Sequence, residues 1–323
     1  MKKLISIIMV FATLLTLLAF TSCKKDEKYA DVVRVTTLNG TTGFGMAKLM
    51  SDNTAKTSKN NYEFTIETEP SKVIAGLTSG DIDIAALPTN AASNAYVKTG
   101  GKIQVLAINT LGVLYVLDKT NSIDSLDDLN GKTIYVPSQN PTFILKYILQ
   151  ANNINATIDS TTYSAPDALR AAVVAGKVDI AVLPEPMVTI ATSANPEYKV
   201  AIDLTEKWNA TPNATTLVQG CVVVRKEFAE QYPDSVAAFM QEYKASIEYI
   251  NTNTADGAKM IVDNGIFANE NVAKKALPKC NIAYMDGNDM KTAMNGFLNA
   301  MMTVAPASIG NAIPGDDFYY MPQ

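Results

Sequence analysis

The chain has 323 residues, 47% of them hydrophobic and 18% charged, with a formal net charge of −5 and no histidine. An acidic balance with no Lys/Arg block excludes the phosphate-neutralising surface on which nucleic-acid binding depends. The missing imidazole excludes Ser-His and Cys-His nucleophiles, histidine acid–base chemistry and typical imidazole zinc sites.

The first 30 residues read as targeting. Lys2 and Lys3 form a charged start, residues 4–20 an apolar run, and Thr21-Ser22-Cys23 a small-residue processing site. The run is short for a membrane span and is interrupted by Ser6, Thr13 and Thr16. The expectation is a lipoprotein signal peptide over residues 1–22, lipidation at Cys23, and a polar tether over 23–30. Phe20 departs from the Leu usual three positions before such a cysteine. No other apolar run approaches spanning length.

Residues 32–37 alternate as a strand and run into Asn39-Gly40-Thr41-Thr42-Gly43, with a helix pattern over 44–51. This turn lacks the G-x-G-x-x-G of a dinucleotide site. A strand over 62–67 and a helix over 73–78 lead to Gly80-Asp81-Ile82-Asp83-Ile84-Ala85-Ala86-Leu87-Pro88. The same phrase returns 96 residues on as Gly176-Lys177-Val178-Asp179-Ile180-Ala181-Val182-Leu183-Pro184, again after an amphipathic run. Helix, Gly stop, buried strand and Pro-marked loop thus occur twice, which predicts two α/β lobes with equivalent loops and room for a ligand between them. The first copy ends in a loop at Thr89 and Asn90. A strand over 103–109 and an apolar run over 113–117 follow, then a short helix over 123–129, a strand over 132–136, the loop Pro137-Ser138-Gln139-Asn140-Pro141-Thr142, and helices over 143–150 and 166–175. After Glu185-Pro186 come strands over 200–204 and 217–224. Long helices over 233–251 and 254–264 precede a helical remainder with a Pro/Gly-rich tail from Pro306.

Leu126-Asp127-Asp128-Leu129-Asn130-Gly131-Lys132-Thr133-Ile134-Tyr135-Val136, the second repeat with Pro184-Glu185-Pro186, Gln219-Gly220-Cys221-Val222-Val223-Val224 and the stretch 228–251 with Tyr232-Pro233 resemble an ABC-importer solute-binding protein of the nitrate/sulfonate/taurine class, which also includes thiamine-pyrimidine binders. The resemblance implies an α/β, two-lobed type II periplasmic-binding fold, each lobe a mixed sheet flanked by helices. Lobe I would comprise residues 31–112 and 219–323, and lobe II residues 113–218. It further implies a monomer outside the cytoplasm, held at the membrane only by lipid, that takes a sulfonate, taurine-like or heterocyclic solute to an ABC permease. No catalysis, cofactor or metal is expected. A surface sensor or adhesin is the alternative. An enzyme on the same fold, such as a pyrimidine synthase, would need the histidine this chain lacks.

Under the clamshell geometry Asn39, Thr41, Thr42 and Gly43 of lobe I face Ser138, Gln139, Asn140 and Thr142 of lobe II, as ligand groups or as ordinary helix caps. Thr89, Asn90 and Glu185 follow the two repeats. Glu185 suits an amine or a protonatable ring nitrogen, or equally the N-terminus of a helix opened by Pro186. Gln219 stands at the return crossing. Phe44 and Phe143 can stack on a ring or pack in the core. The chain has only three arginines, Arg34, Arg170 and Arg225, and none lies in these loops, so no Arg clamp on an anion is expected. Cys221 and Cys280 can pair or stay as buried thiols.

Overall fold

The computed structural model describes residues 28–211 and 215–321. The expected signal peptide, Cys23 and residues 24–27 lie outside these. The last tether residues are bonded to the body: the Lys28 N–H donates to Asp234 Oδ2 (2.6 Å) and the Ala30 N–H to Ser235 Oγ (2.9 Å).

Strand β1 (Val33–Leu38), almost wholly buried, pairs in parallel with β2 (Tyr62–Glu67) and with β3 (Ile84–Pro88). Helices α1 (Thr41–Phe44) and α2 (Ala47–Thr54) follow β1, and α3 (Pro70–Ser79) links β2 to β3. Pro70 opens α3, and Gly80 closes it at φ +87°, a conformation that favours glycine. Next come α4 (Thr89–Thr99) and β4 (Ile103–Leu111). The chain then crosses into β5 (Leu114–Asp118), β6 (Thr133–Tyr135), α5 (Asn140–Ala151), β7 (Thr157–Asp159), α6 (Pro166–Val174), β8 (Ile180–Pro184), α7 (Met187–Ala194), β9 (Lys199–Asp203) and α8 (Leu204–Asn209). Strand β10 (Val218–Arg225) returns. It is followed by α9 (Lys226–Gln231), α10 (Pro233–Thr252), α11 (Thr254–Asp263), α12 (Glu270–Ala276), β11 (Ile282–Met285) and α13 (Gly287–Val304).

These strands make two mixed sheets, ordered β11-β4-β10-β3-β1-β2 and β7-β6-β8-β5-β9. The repeated strands occupy equivalent central places. Each pairs antiparallel with the strand that has just crossed over, β3 with β10 (Leu87 opposite Cys221) and β8 with β5 (Leu183 opposite Tyr115). The repeat in sequence is therefore a repeat in topology, as expected.

Three expectations need correction, and one left open is decided. Residues 89–99 are a helix, not a loop, and α4 was missed because its short polar and small residues give weak periodicity. The helix expected over 123–129 shrinks to a 3₁₀ turn, Asp127–Leu129. Buried Asp118 takes the N–H groups of Ser122 (2.6 Å) and Ile123 (3.0 Å) and holds that stretch as a loop. The remainder after α11 includes a strand, β11, on the edge of the first sheet. Cys221 and Cys280 are both free and buried, and burial pushes both thiols well up from their ordinary value.

One apolar cluster runs through both sheets by way of Trp208, Phe297 and the inner face of α13. A second fills the first sheet's other face, around Phe239, Tyr243 and Phe44. Among the described residues no helix is long and apolar enough to cross a membrane.

Candidate functional site between the two sheets

The helices that follow β3 and β6 start where the two sheets approach one another. Between them lies a cavity of about 460 Å³, within the range of small-molecule sites. Its walls come from both halves of the molecule: Ile74 of α3, Asn90, Asn94 and Lys98 of α4, and Gln139 and Phe143 from the second sheet. The structure thus brings Asn90 and Gln139 to one cavity, as the lobe-to-lobe reading requires.

Asn90 is 6% exposed and Asn140, the first residue of α5, is 9% exposed. The side-chain oxygen of each is buried without a hydrogen-bond partner. Buried polar atoms are rarely left so. Gln139, at the cavity edge, has φ +69° and ψ −134°. A non-glycine side chain is strained in that conformation, and such strain concentrates at functional sites.

Three of the hydroxyl groups singled out in the sequence have local partners. Thr89 Oγ1 donates to the Val218 carbonyl (2.9 Å), Ser138 Oγ to the Ser164 carbonyl (3.1 Å), and Thr142 Oγ1 to the Pro137 carbonyl (2.7 Å). These bonds pin each turn to the strand or loop beside it. Capping and loop fixation account for all three.

Asn39, Thr41, Thr42 and Gly43 stand at the end of β1, outside the cavity lining. The Thr42 carbonyl accepts from Asn109 Nδ2 (3.1 Å), tying this turn to β4. Gly43 is required by packing, because a Cβ there would lie 2.1 Å from the Leu38 carbonyl oxygen. Phe44 is fully buried and meets Phe267 edge-on at 5.9 Å, so it belongs to the core. Phe143 lines the cavity.

Gln219 and Glu185 occupy the crossovers. Gln219 Oε1 accepts the Val113 N–H (2.7 Å), joining the outgoing strand to the returning one. Glu185 donates its N–H to the Val113 carbonyl (3.0 Å) and is 2% exposed. Its carboxylate accepts from Thr189 N (3.1 Å) and Thr189 Oγ1 (3.0 Å), so it caps α7 in the manner of the helix-start alternative. Burial raises its pKa, partly opposed by the Thr189 bonds and by Lys279. The native state then holds this proton more tightly than the unfolded chain, so stability falls as pH rises from the carboxyl's ordinary range through the raised value. Glu185→Gln is expected to remove that loss: melting curves from pH 4 to 8 should decline less with pH than wild type. An unchanged pH slope would mean that burial does not dominate at Glu185.

Sequence reasoning missed the α4 stripe. Asn90, Asn94 and Lys98 recur every fourth residue and share a helix face, a signal hidden once 89–90 were read as a loop. Asn94 Nδ2 donates to the Ala307 carbonyl (3.1 Å), and Ser93 Oγ to the Ile309 carbonyl (3.1 Å), so the chain after α13 is fastened along α4. Two arginines lie elsewhere, Arg34 and Arg225 on Asp83, while Arg170 meets Asp167. Among the described residues no group of three His, Cys, Asp or Glu could hold a metal ion.

The family model for the phosphonate periplasmic substrate-binding proteins of ABC transporters matches residues 46–268. Among solved structures, an ABC transporter protein from Parabacteroides distasonis is similar with a TM-score of 0.78 and 24% identity, over 91% of this chain and 100% of that one. The aliphatic sulphonate binding protein SsuA from Escherichia coli gives 0.70 and 14%, over 87% and 94%. The alkanesulfonate-binding protein SsuA from Xanthomonas axonopodis pv. citri, bound to MOPS, gives 0.63 and 15%, over 86% and 98%. No curated protein sequence matches the chain. The shared fold is the two-lobed periplasmic-binding α/β architecture expected from the sequence.

Proposed function

We propose, from the premise that this chain belongs to the phosphonate-binding family of ABC-transporter periplasmic substrate-binding proteins, that it captures a small organic solute between its two lobes and presents it to a permease. Membership of that family makes it an extracytoplasmic solute-binding component. The finer reading is closure of lobe II (113–218) on lobe I (31–112 and 219–323) around the ligand. The ligand stabilises the closed state because only that state contacts it from both sides. The cavity with Asn90 on one side and Gln139 on the other supports this reading above all. Sulfonate, taurine-like and heterocyclic solutes are the classes considered. Lys2, Lys3, the apolar run 4–20 and Cys23 support a lipid anchor as the sole membrane attachment.

The test is a thermal-shift panel on protein unfolded and refolded to strip bound solute, with scattering to follow compaction. At a hundredfold excess over Kd a true ligand adds about 2.7 kcal/mol, a rise of roughly 5 °C or more for a chain of this size, and reduces the radius of gyration. A panel of sulfonates, taurine, phosphonates, nitrate and heterocycles in which no solute does both would refute capture by closure.

A further inference from the structure

The two halves of the molecule meet on two flanks, and the flanks differ in what joins them. On one, a single apolar cluster runs from the first sheet into the second. At its seam the ring of Trp208 lies 4.7 Å from Tyr147 and 5.9 Å from Phe297. On the other, α12 packs against α7, but the apolar interior is interrupted there. The cluster beneath α12 ends at Ala276, Leu277 and Cys280, and a separate one begins at Tyr115, Val188 and Ala191. A polar bond spans this flank: the Tyr115 hydroxyl, on β5 and in a residue 9% exposed, donates to the Lys279 carbonyl (3.2 Å). The turn that presents this carbonyl is fixed from its own side. The Asn281 carbonyl accepts the Leu111 N–H (3.0 Å), and Asn281 Nδ2 donates to the Gly112 carbonyl (2.5 Å) at the outgoing crossover. The φ of +44° at Asn281 is a left-handed conformation that asparagine tolerates better than most residues. Parting the halves at the seam would bare three packed rings to water. Parting α12 from α7 divides no common core, and water replaces the hydrogen bond it breaks. The second motion costs less.

We propose that opening of the molecule pivots on the Trp208 seam and parts α12 from α7, with the Tyr115 hydroxyl on the Lys279 carbonyl as the clasp that holds this flank shut. This rests on the closure reading above and names the face that moves.

The experiment measures two distances between spin labels in refolded protein stripped of solute, on a Cys23→Ser background. Cys221 and Cys280 are buried, so labels attach only at introduced cysteines. One pair, Ser193→Cys with Lys275→Cys, reads the gap between α7 and α12. The other, Gln150→Cys with Asn299→Cys, reads the seam between α5 and α13. All four positions are exposed. Tyr115→Phe keeps the ring and removes the clasp. It should raise the ratio of long to short distances in the Ser193/Lys275 pair about fivefold, the equilibrium worth of one ordinary hydrogen bond, and leave the Gln150/Asn299 pair as it was. Asn281→Gly accepts the same φ and frees the turn from Gly112. It should shift the Ser193/Lys275 pair in the same direction, and it decides the matter if Tyr115→Phe does not fold. A tyrosine with only a structural role would lower Tm and broaden both pairs alike, which overturns the inference. An unchanged Ser193/Lys275 pair overturns it, as does a shift confined to the seam pair. Capture is judged separately by the thermal-shift panel. A solute that stabilises and compacts the protein, while Tyr115→Phe moves neither pair, removes the clasp and leaves capture standing. A silent panel with the expected shift removes capture and leaves the clasp.

Discussion

Asp83→Ala is expected to lower the free energy of unfolding by about 3 kcal/mol, the low end of the range for breaking a buried charge pair. Asp83 is 1% exposed. It accepts the Arg34 backbone N–H (3.0 Å), Arg34 Nε (2.9 Å) and Nη2 (2.7 Å), and Arg225 Nη2 (3.0 Å). Its own backbone carbonyl takes the Arg225 N–H (2.9 Å). One carboxylate thus fastens β1, β3 and β10 at the end of the sheet remote from the cavity. Removing it strips Arg34 of its carboxylate and leaves Arg225 with only exposed Glu227 (2.7 Å). Arg34 is 39% exposed and recovers some hydration, which is why the low end applies. The matched control is Asp179→Ala at the same place in the second repeat. Asp179 is exposed and should change stability by less than about 0.5 kcal/mol. Guanidinium denaturation of the two variants checks the contrast, and equal effects would refute the central role given to Asp83.

That contrast marks how far the sequence could be read. The repeat located β3 and β8 and made them equivalent, because strand periodicity, Gly stops and Pro ends are local signals. Whether each repeated aspartate is buried depends on what crosses the sheet nearby. Arg225 lies 142 residues from Asp83 and pairs with it only through the return of β10, which no local pattern reports. The same distance effect hid β11. It is four residues long and bonded to the sheet edge solely along β4.

The candidate site was legible in part for the same reason. One of the Gly/Asn/Thr turns before helices supplies Gln139 and a repeat end supplies Asn90, and both line the cavity, while the Asn39–Gly43 turn does not. The residue type does not reveal which turn groups are already bonded. Thr89, Ser138 and Thr142 look like ligand groups and each also makes a local tie, while Glu185 and Gln219 hold the crossovers. Charge alone favoured Glu185. The groups left unpaired are neutral amides, and only a three-dimensional accounting of hydrogen bonds singles them out.

Trp208→Ala should destabilise the protein by about 3–5 kcal/mol, the usual range for truncating a buried tryptophan. Trp208 is 1% exposed. Its ring lies 4.7 Å from Tyr147 of α5 and 5.9 Å from Phe297 of α13, and its Nε1 donates to the Thr215 carbonyl (2.9 Å). Lys146 Nζ, beside Tyr147, reaches the Val304 carbonyl at the end of α13 (3.2 Å). A helix that packs on the first sheet is thereby seated against the second, and Trp208 fills the seam. Trp208→Phe keeps much of the contact but leaves the Thr215 carbonyl unpaired, at a cost of about 1–3 kcal/mol. The chain has one tryptophan, so unfolding has to be followed by circular dichroism. The seam also bears on the cavity: α5 carries Phe143 of the cavity wall one turn before Tyr147, so a loosened Tyr147 lets that wall shift. Solute affinity should therefore fall in Trp208→Ala, measured under conditions where it stays folded, and hold in Trp208→Phe. If Trp208→Ala melts like wild type, the two halves are not joined at this seam, and closure must pivot elsewhere, at the crossovers held by Gln219 and Glu185.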